Sequence, residues 1–310
     1  MNKNETKVVV LGDSNVDILV RLPDRNQPII TDHKYAPPEL HGGGTAANVA
    51  VSLARLGVPV SFMGSVGADN YGHWVEEDFK REGIEISGLQ MVEDAFTVMV
   101  MALIEPNGER LIYVWPPTGG AHNHFTLNEI DLSSWPSAKW LHTTGICLRG
   151  KPVRETVLAA MVEARKLGWE VSLDLNLRTE SWGLNPETQE IFERAIGLSD
   201  VVFGNAEEEI LPLSKKRSLE SAVKGLCENK RVIIARQGSE GALICTPDGL
   251  FHSPALQVKV VDTLGAGDAF NAGFIAAQIT GADVAEASKR GNETAALKIQ
   301  YSGARGLPKR

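Results

Sequence analysis

Asp262-Thr263-Leu264-Gly265-Ala266-Gly267-Asp268-Ala269-Phe270-Asn271-Ala272-Gly273 is the stretch on which the reading of this chain turns. Three small residues lead into an aspartate, and a small-residue helix follows. Gly265, Ala266 and Gly267 leave backbone N–H groups open to a close anion, because little side-chain bulk stands in the way. The helix that starts here adds its positive dipole end and its unpaired N–H groups. Asp268 then lies at the edge of an anion pocket, where a carboxylate repels a bound phosphate unless it has work to do. The fitting work is to take a proton from a hydroxyl that attacks phosphorus.

Towards the N-terminus, Gly42-Gly43-Gly44-Thr45-Ala46-Ala47-Asn48-Val49-Ala50 precedes the apolar stretch 51–56, with Gly57 and Gly67 beyond it. The glycines let backbone pack against a polyol, and Asn48 offers both a donor and an acceptor. Ala46, Ala47, Ala50, Val51 and Ala54 continue as a close-packed helix. His41-Gly42-Gly43-Gly44 also fits the oxyanion hole of an esterase, but no Gly-x-Ser-x-Gly elbow accompanies it. Gly12-Asp13-Ser14-Asn15 is not the Gly-x-Gly-x-x-Gly of a nicotinamide dehydrogenase.

Together the two segments resemble the paired signatures of the ribokinase-like, phosphofructokinase B-type carbohydrate kinases. Asp-Thr-x-Gly-Ala-Gly-Asp is complete at 262–268. The glycine pair, asparagine, small residue and two later glycines of the N-terminal signature are all matched. The resemblance runs from Val8 to about Arg305. It implies an α/β fold with a doubly wound, mostly parallel sheet flanked by helices and a small β-sheet lid. It also implies one kinase domain over 1–310, with lid segments at about 17–40 and 95–120.

Strand and helix signals along the chain agree with that expectation. β-branched apolar runs recur at 7–11, 60–63, 139–142, 170–173, 200–203, 231–235 and 242–245. Helical patterns lie at 45–56, 71–82, 152–167, 187–196, 219–228, 269–278 and 284–299. Such alternation makes a mostly parallel sheet with helices on both faces. Segments 17–35 and 95–113 break the alternation and read as strands joined by turns, with a hairpin at Pro106-Asn107-Gly108.

Activity and site residues follow from the resemblance. It implies ATP-dependent phosphoryl transfer to a primary hydroxyl of a small sugar or sugar acid, of ribose, fructose or 2-keto-3-deoxygluconate type. A nucleoside kinase and a non-catalytic sugar-binding regulator share the scaffold. Asp268 is the implied base, and the N–H groups of Gly265, Ala266 and Gly267 stabilise the transferring group. Asp17, Gly43, Gly44 and Asn48 are the implied sugar contacts; from the residues alone, Asp17 also fits a turn or cap. Arg178, in Asp174-Leu175-Asn176-Leu177-Arg178, suits a phosphate, a substrate carboxylate or a structural ion pair. Its Leu175 stands where proline is common in the family. The Tyr-x-Arg of 2-keto-3-deoxygluconate kinases is absent after the hairpin, where Trp115-Pro116-Pro117 stands.

Asn205-Ala206-Glu207-Glu208 is similar to the family's Asn-x-x-Glu, which implies Mg²⁺ near Asn205 and Glu208; a plain helix cap is the alternative. Thr263, Gly238, Gly241, Asn205 and Asn292 are the implied nucleotide contacts. Asp262 and the turn Ser302-Gly303-Ala304-Arg305-Gly306 are implied to hold a monovalent cation such as K⁺.

The bulk numbers set limits. The chain has 310 residues, a net charge of −8 and no Lys/Arg run, so nucleic acid is not an expected partner. Cys147, Cys227 and Cys245 show no Cys-x-x-Cys and suggest idle thiols in a reducing cytoplasm. The polar start at 1–6 is not a signal peptide, and no stretch is of membrane-spanning length. The His122-Asn123-His124 cluster is expected to be a solvated loop. Exposed lid strands make a homodimer through the lid a further expectation.

Overall fold

The structure, a computed structural model, describes residues 2–23, 36–107, 109–127, 131–228 and 231–309. In chain order the strands are β1 (Val8–Leu11), β2 (Asn15–Arg21), β3 (Glu39–Gly43), β4 (Val60–Gly67), β5 (Glu85–Val92), β6 (Met99–Ile104) and β7 (Arg110–Trp115). They continue with β8 (Trp140–Thr144), β9 (Glu170–Asp174), β10 (Val201–Asn205), β11 (Val232–Arg236), β12 (Ala242–Thr246) and β13 (Gly249–Ser253). The helices are α1 (Thr45–Arg55), α2 (Asn70–Arg81), α3 (Val153–Lys166), α4 (Thr179–Trp182), α5 (Pro186–Gly197), α6 (Leu211–Ser214), α7 (Leu219–Leu226), α8 (Ala266–Ile279) and α9 (Val284–Lys298).

Nine strands form one sheet in the order β13-β12-β11-β10-β9-β8-β1-β4-β5. Neighbours from β11 to β5 pair in parallel, while β12 and β13 run antiparallel at one edge. The alternation of side chains along a strand divides the core in two. On β1, Val8 and Val10 join a cluster with residues of α1, α2, α8 and α9, whereas Val9 and Leu11 face residues of α3, α5 and α7. Both faces of β1 are thus buried, which is why the strand reads as an unbroken apolar run.

The strand order reverses beside β1. From β1 the chain builds outward through β4 and β5, and from β8 outward the other way through β9, β10 and β11. A crevice opens at such a switch point beyond the carboxyl ends of the strands, and ligands bind there. Residues 13–14, 144–145 and 174–178 lie at those ends.

A second sheet has the order β3-β2-β6-β7, with β2 and β6 parallel and the other pairs antiparallel. The expected hairpin is present as β6 and β7. The expected first lid segment, about 17–40, overlaps most of β2 and the start of β3, and its residues 24–35 lie outside the described residues. Pairing of Asn15 with Gly43 and Asp17 with His41 makes the glycine motif itself the end of a strand.

Three strands, β3, β5 and β13, are not signalled by the sequence. In β5 the pattern is interrupted by Glu85 and Gly88. Glu85 is buried and accepts hydrogen bonds from Ser61 Oγ (2.6 Å), Trp135 Nε1 (2.9 Å) and the Ser87 N–H (2.8 Å). These donors hold its carboxyl below the usual range against the opposing effect of burial. Among the described residues no helix is long and apolar enough to cross a membrane.

Candidate active site

Asp13 organises the floor of the crevice. It leaves the end of β1 and accepts from the Thr45 N–H (2.8 Å), Thr45 Oγ1 (2.9 Å), the Ala46 N–H (3.2 Å) and Thr144 Oγ1 (3.2 Å). One carboxylate therefore caps α1 and ties it to the ends of β1 and β8. The cap comes from outside the helix because the N-cap residue is Gly44, whose φ of +93° a side chain would disfavour.

Helix α8 enters the same crevice. Gly265 is its N-cap in the left-handed conformation (φ +76°), with the Ala304 carbonyl packed against its Cα where a Cβ would stand. The Ala266 N–H turns inward to Thr263 O at 3.1 Å, closing the tight turn that Gly265 makes possible. That differs from the sequence expectation, in which all three of Gly265, Ala266 and Gly267 face an anion. Among the described residues, the N–H groups of Gly265, Gly267 and Asp268 have no partner, as the first turn of a helix leaves them. Thr263 is exposed beside them.

Asp268 is the third residue of α8 and is buried. Its Oδ2 accepts from Asn48 Nδ2 at 2.9 Å. Burial pushes its pKa up to about 7, helped by the negative charges of Asp174 and Asp13 and opposed by the Asn48 hydrogen bond and Arg236. The amide oxygen of Asn48 accepts from Arg305 Nε at 3.1 Å. Asn48 therefore has its acceptor committed and one N–H left for a ligand, rather than the free donor and acceptor expected of it.

Arg305 entered the sequence reading only as part of the turn expected to hold a monovalent cation, and its side chain has a different place. Its guanidinium also donates to Gly43 O (3.1 Å) and to Asp78, and it lies flat where a Cβ of Gly42 would be. Gly42 is thus a glycine because an arginine passes over it. Asp17, on β2, faces Gly43 and accepts from Asn15 Nδ2 at 2.6 Å. Burial raises its pKa, against that hydrogen bond and the charges of Arg305 and His41.

Beneath the start of α8 lies a second network. Arg236 donates to both oxygens of Asp174 (2.9 and 2.8 Å) and to Asn271 Oδ1 (2.9 Å), while Asn271 Nδ2 donates to Asp174 Oδ2 (2.6 Å). Asp174 and Asn271 carry no role in the sequence reading; what marks them is one polar residue at a strand end and one a turn beyond Asp268.

Beyond Arg236 is a cavity of about 520 Å³ lined by Asn205, Glu207, Glu208, Gly238, Ser239 and Glu240 among others. Asn205 Oδ1 caps the next turn through the N–H groups of Glu207 and Glu208, each at 3.0 Å. Glu208 is exposed, and the buried carboxylate is its neighbour Glu209, which accepts from the N–H groups of Asn205 (2.6 Å) and Leu177 (2.8 Å). Gly241, with φ +103°, closes the turn that carries Gly238. Asn292 is buried on α9 with Nδ2 donating to Ser253 O (3.1 Å) and Oγ (2.9 Å).

Two further expectations need correction. His122-Asn123-His124 is no solvated loop but a single turn of 3₁₀ helix, and His122 is half-buried in it. Burial lowers the His122 pKa, with Asp13 opposing and Arg149 assisting. Arg178 is exposed at a left-handed position and makes no hydrogen bond or ion pair with the described residues, which removes the structural ion pair as its role.

The site joins a buried carboxylate of near-neutral pKa, a helix N-terminus with open donors and an acidic cavity bordered by one arginine. The whole chain also resembles known kinases. Aminoimidazole riboside kinase of Salmonella typhimurium is 30% identical, over 97% of this chain and 92% of its own. A fructokinase of Salmonella typhimurium is 32% identical, over 87% of this chain and 83% of its own. The crystal structure of aminoimidazole riboside kinase from Salmonella enterica, complexed with aminoimidazole riboside and an ATP analog, superposes with a TM-score of 0.79 at 28% identity. That match covers 98% of this chain and 96% of the other. A family model described as pfkB family carbohydrate kinase matches residues 5–310, and the chain belongs to that family of sugar-phosphorylating enzymes.

Proposed function

We propose that this sugar kinase transfers the γ-phosphoryl group of ATP to a primary hydroxyl of a small sugar or sugar acid, with Asp268 as the base. The burial of Asp268, with a pKa of about 7, carries the reading. A carboxylate of that pKa is ionised in part at neutral pH and still basic enough to accept a hydroxyl proton in the transition state. The open N–H groups of Gly265 and Gly267 are aimed where negative charge develops. In this reading Asp17, Gly43, Gly44 and the remaining N–H of Asn48 hold the sugar, and Arg178 is free to meet an anionic substituent. The sheet of β2, β3, β6 and β7 serves as the lid that keeps water from the phosphoryl group.

Gly238, Gly241, Asn205, Thr263 and Asn292 belong to the nucleotide side. The cavity there carries three glutamates and one arginine already paired with Asp174, so a polyphosphate meets net negative charge. Exposed oxygens at Glu208 with few other ligands suit Mg²⁺, which keeps several waters; no cluster of three metal-binding side chains occurs among the described residues. Bound there, Mg²⁺ would neutralise phosphate charge.

A riboside substrate is the second reading, since one of the relatives is named as a riboside kinase. The test is ADP release with Mg-ATP against ribose, fructose, 2-keto-3-deoxygluconate, tagatose phosphate and nucleosides. One saturable hit identifies the substrate class; silence across the panel with ATP bound would remove these substrates and leave an untested sugar or a sugar-binding protein. A homodimer through the lid is part of the proposal, because β7 is an edge strand with Leu111, Ile112, Tyr113 and Val114 exposed. Light scattering that gives a monomer at working concentration would remove it.

A further inference from the structure

Lys298, near the end of α9, has no exposed surface. Its Nζ donates to the backbone carbonyl of Asp262 at 2.8 Å. A buried ammonium is costly unless it is paired and hydrogen-bonded. Here the negative charges of Asp262 and Asp268 face it and oppose the lowering effect of burial on its pKa.

The surroundings of Asp262 form one unit. Its carboxylate accepts from the Leu264 N–H (3.0 Å) and the Gly303 N–H (2.9 Å). The N–H groups of Val261 and Asp262 both donate to Ile299 O (2.8 and 3.1 Å). The Ala304 carbonyl packs on Gly265. The expected K⁺ would stand between Asp262 and the turn at 302–306, and it would need their oxygens as ligands. The Asp262 carbonyl is held by an ammonium, and both Asp262 carboxylate oxygens by N–H groups. One hydrogen bond per oxygen would still leave lone pairs for a cation, but a second positive charge beside the Lys298 ammonium would be repelled, and so the residues present do not fit that ion.

We propose that the Lys298 ammonium stands in for the monovalent cation, so that this kinase works without K⁺. The inference rests on the kinase reading for its role but not for its test. In a trans peptide the N–H points opposite to the C=O. With the Asp262 carbonyl held towards Nζ, the Thr263 N–H faces away from Lys298. The loop is then fixed two residues before Gly265, where the open donors of α8 begin. Lys298 is a positioning residue that also places a fixed positive charge behind the anion pocket.

The experiment compares KCl with tetramethylammonium chloride at equal ionic strength. Melting temperature and ADP affinity are measured for the wild type and Lys298→Ala, and turnover on whichever substrate the panel identifies. The wild type is expected to be indifferent to the cation in every readout. Lys298→Ala is expected to gain a KCl-dependent rise in melting temperature and an increase in ADP affinity and turnover of about fivefold or more. A wild type stabilised or activated by KCl overturns the proposal, and so does a folded Lys298→Ala that ignores KCl. If the alanine variant does not fold, Lys298→Gln, which keeps length and a donor, is read the same way. Melting temperature needs no substrate, so a failed substrate panel leaves this test intact.

Discussion

Asn48 donates to Asp268 at 2.9 Å across a separation of 220 residues. This single bond joins the start of α1 to the start of α8, and so the two glycine-rich segments of the sequence meet at one carboxylate. Asp268 is thereby held in place, and its negative form is favoured against the burial that disfavours it.

Replacing Asp268 with Asn removes the base but keeps the shape of the helix start. Turnover is expected to fall by about 10²–10⁴-fold. ATP affinity, measured by calorimetry, should stay within a few-fold of the wild type. Near-normal turnover in the variant would show that the proton goes elsewhere.

The acid side of the pH profile reports the same group. Asp268 must be ionised to accept a proton, so kcat/KM should rise with pH and level off above about 7. The Asn48 hydrogen bond lowers that pKa, so Asn48→Leu should move the limb to higher pH. It should also cost about 1–3 kcal/mol of stability, because Arg305 loses a buried acceptor. A limb that stays put in Asn48→Leu would mean that another group sets it.

The same burial makes a stability prediction of opposite sense. Unfolded, Asp268 ionises near the ordinary 3.8; folded, near 7. Between these values the folded state binds more protons, so stability falls as pH rises, and the loss is complete above about 7. Asp268→Asn lacks this penalty. It should match the wild type near pH 4 and exceed it at pH 8 by on the order of 1–4 kcal/mol. Urea unfolding at the two pH values measures the difference; equal curves at pH 8 would show that the carboxylate is well solvated.

Much of this was legible in the sequence, and the failures have physical causes. The parallel strands announced themselves because burial on both faces demands unbroken apolar runs, as in 8–11. β5 did not, since its buried Glu85 looks like a surface residue until Ser61 and Trp135 are brought to it. The two signatures located Asp268 and Asn48 because glycines and an aspartate carry local meaning. Arg305, Asp174, Asn271 and Lys298 take their meaning from partners far along the chain, which no local pattern reports. Glu208 and Glu209 differ only in which way the turn after Asn205 points them.

Arg236 offers the last prediction. Its guanidinium lies 2.8 Å from where a Cβ of Gly267 would stand, directly under the start of α8. It is paired with Asp174, and Glu209 lies 4.0 Å away. Arg236→Met would leave buried carboxylates without a cation, which costs about 3–5 kcal/mol. Because Arg236 lowers the Asp268 pKa, the variant's acid limb should move up. Asp174 acts on Asp268 in the other direction, so Asp174→Asn should move the limb down. Combining the two changes should restore part of the lost stability, with a coupling of about 0.5–3 kcal/mol in a double-mutant cycle. Additive stabilities, or limbs that shift together, would show that the pair does not set the field at Asp268.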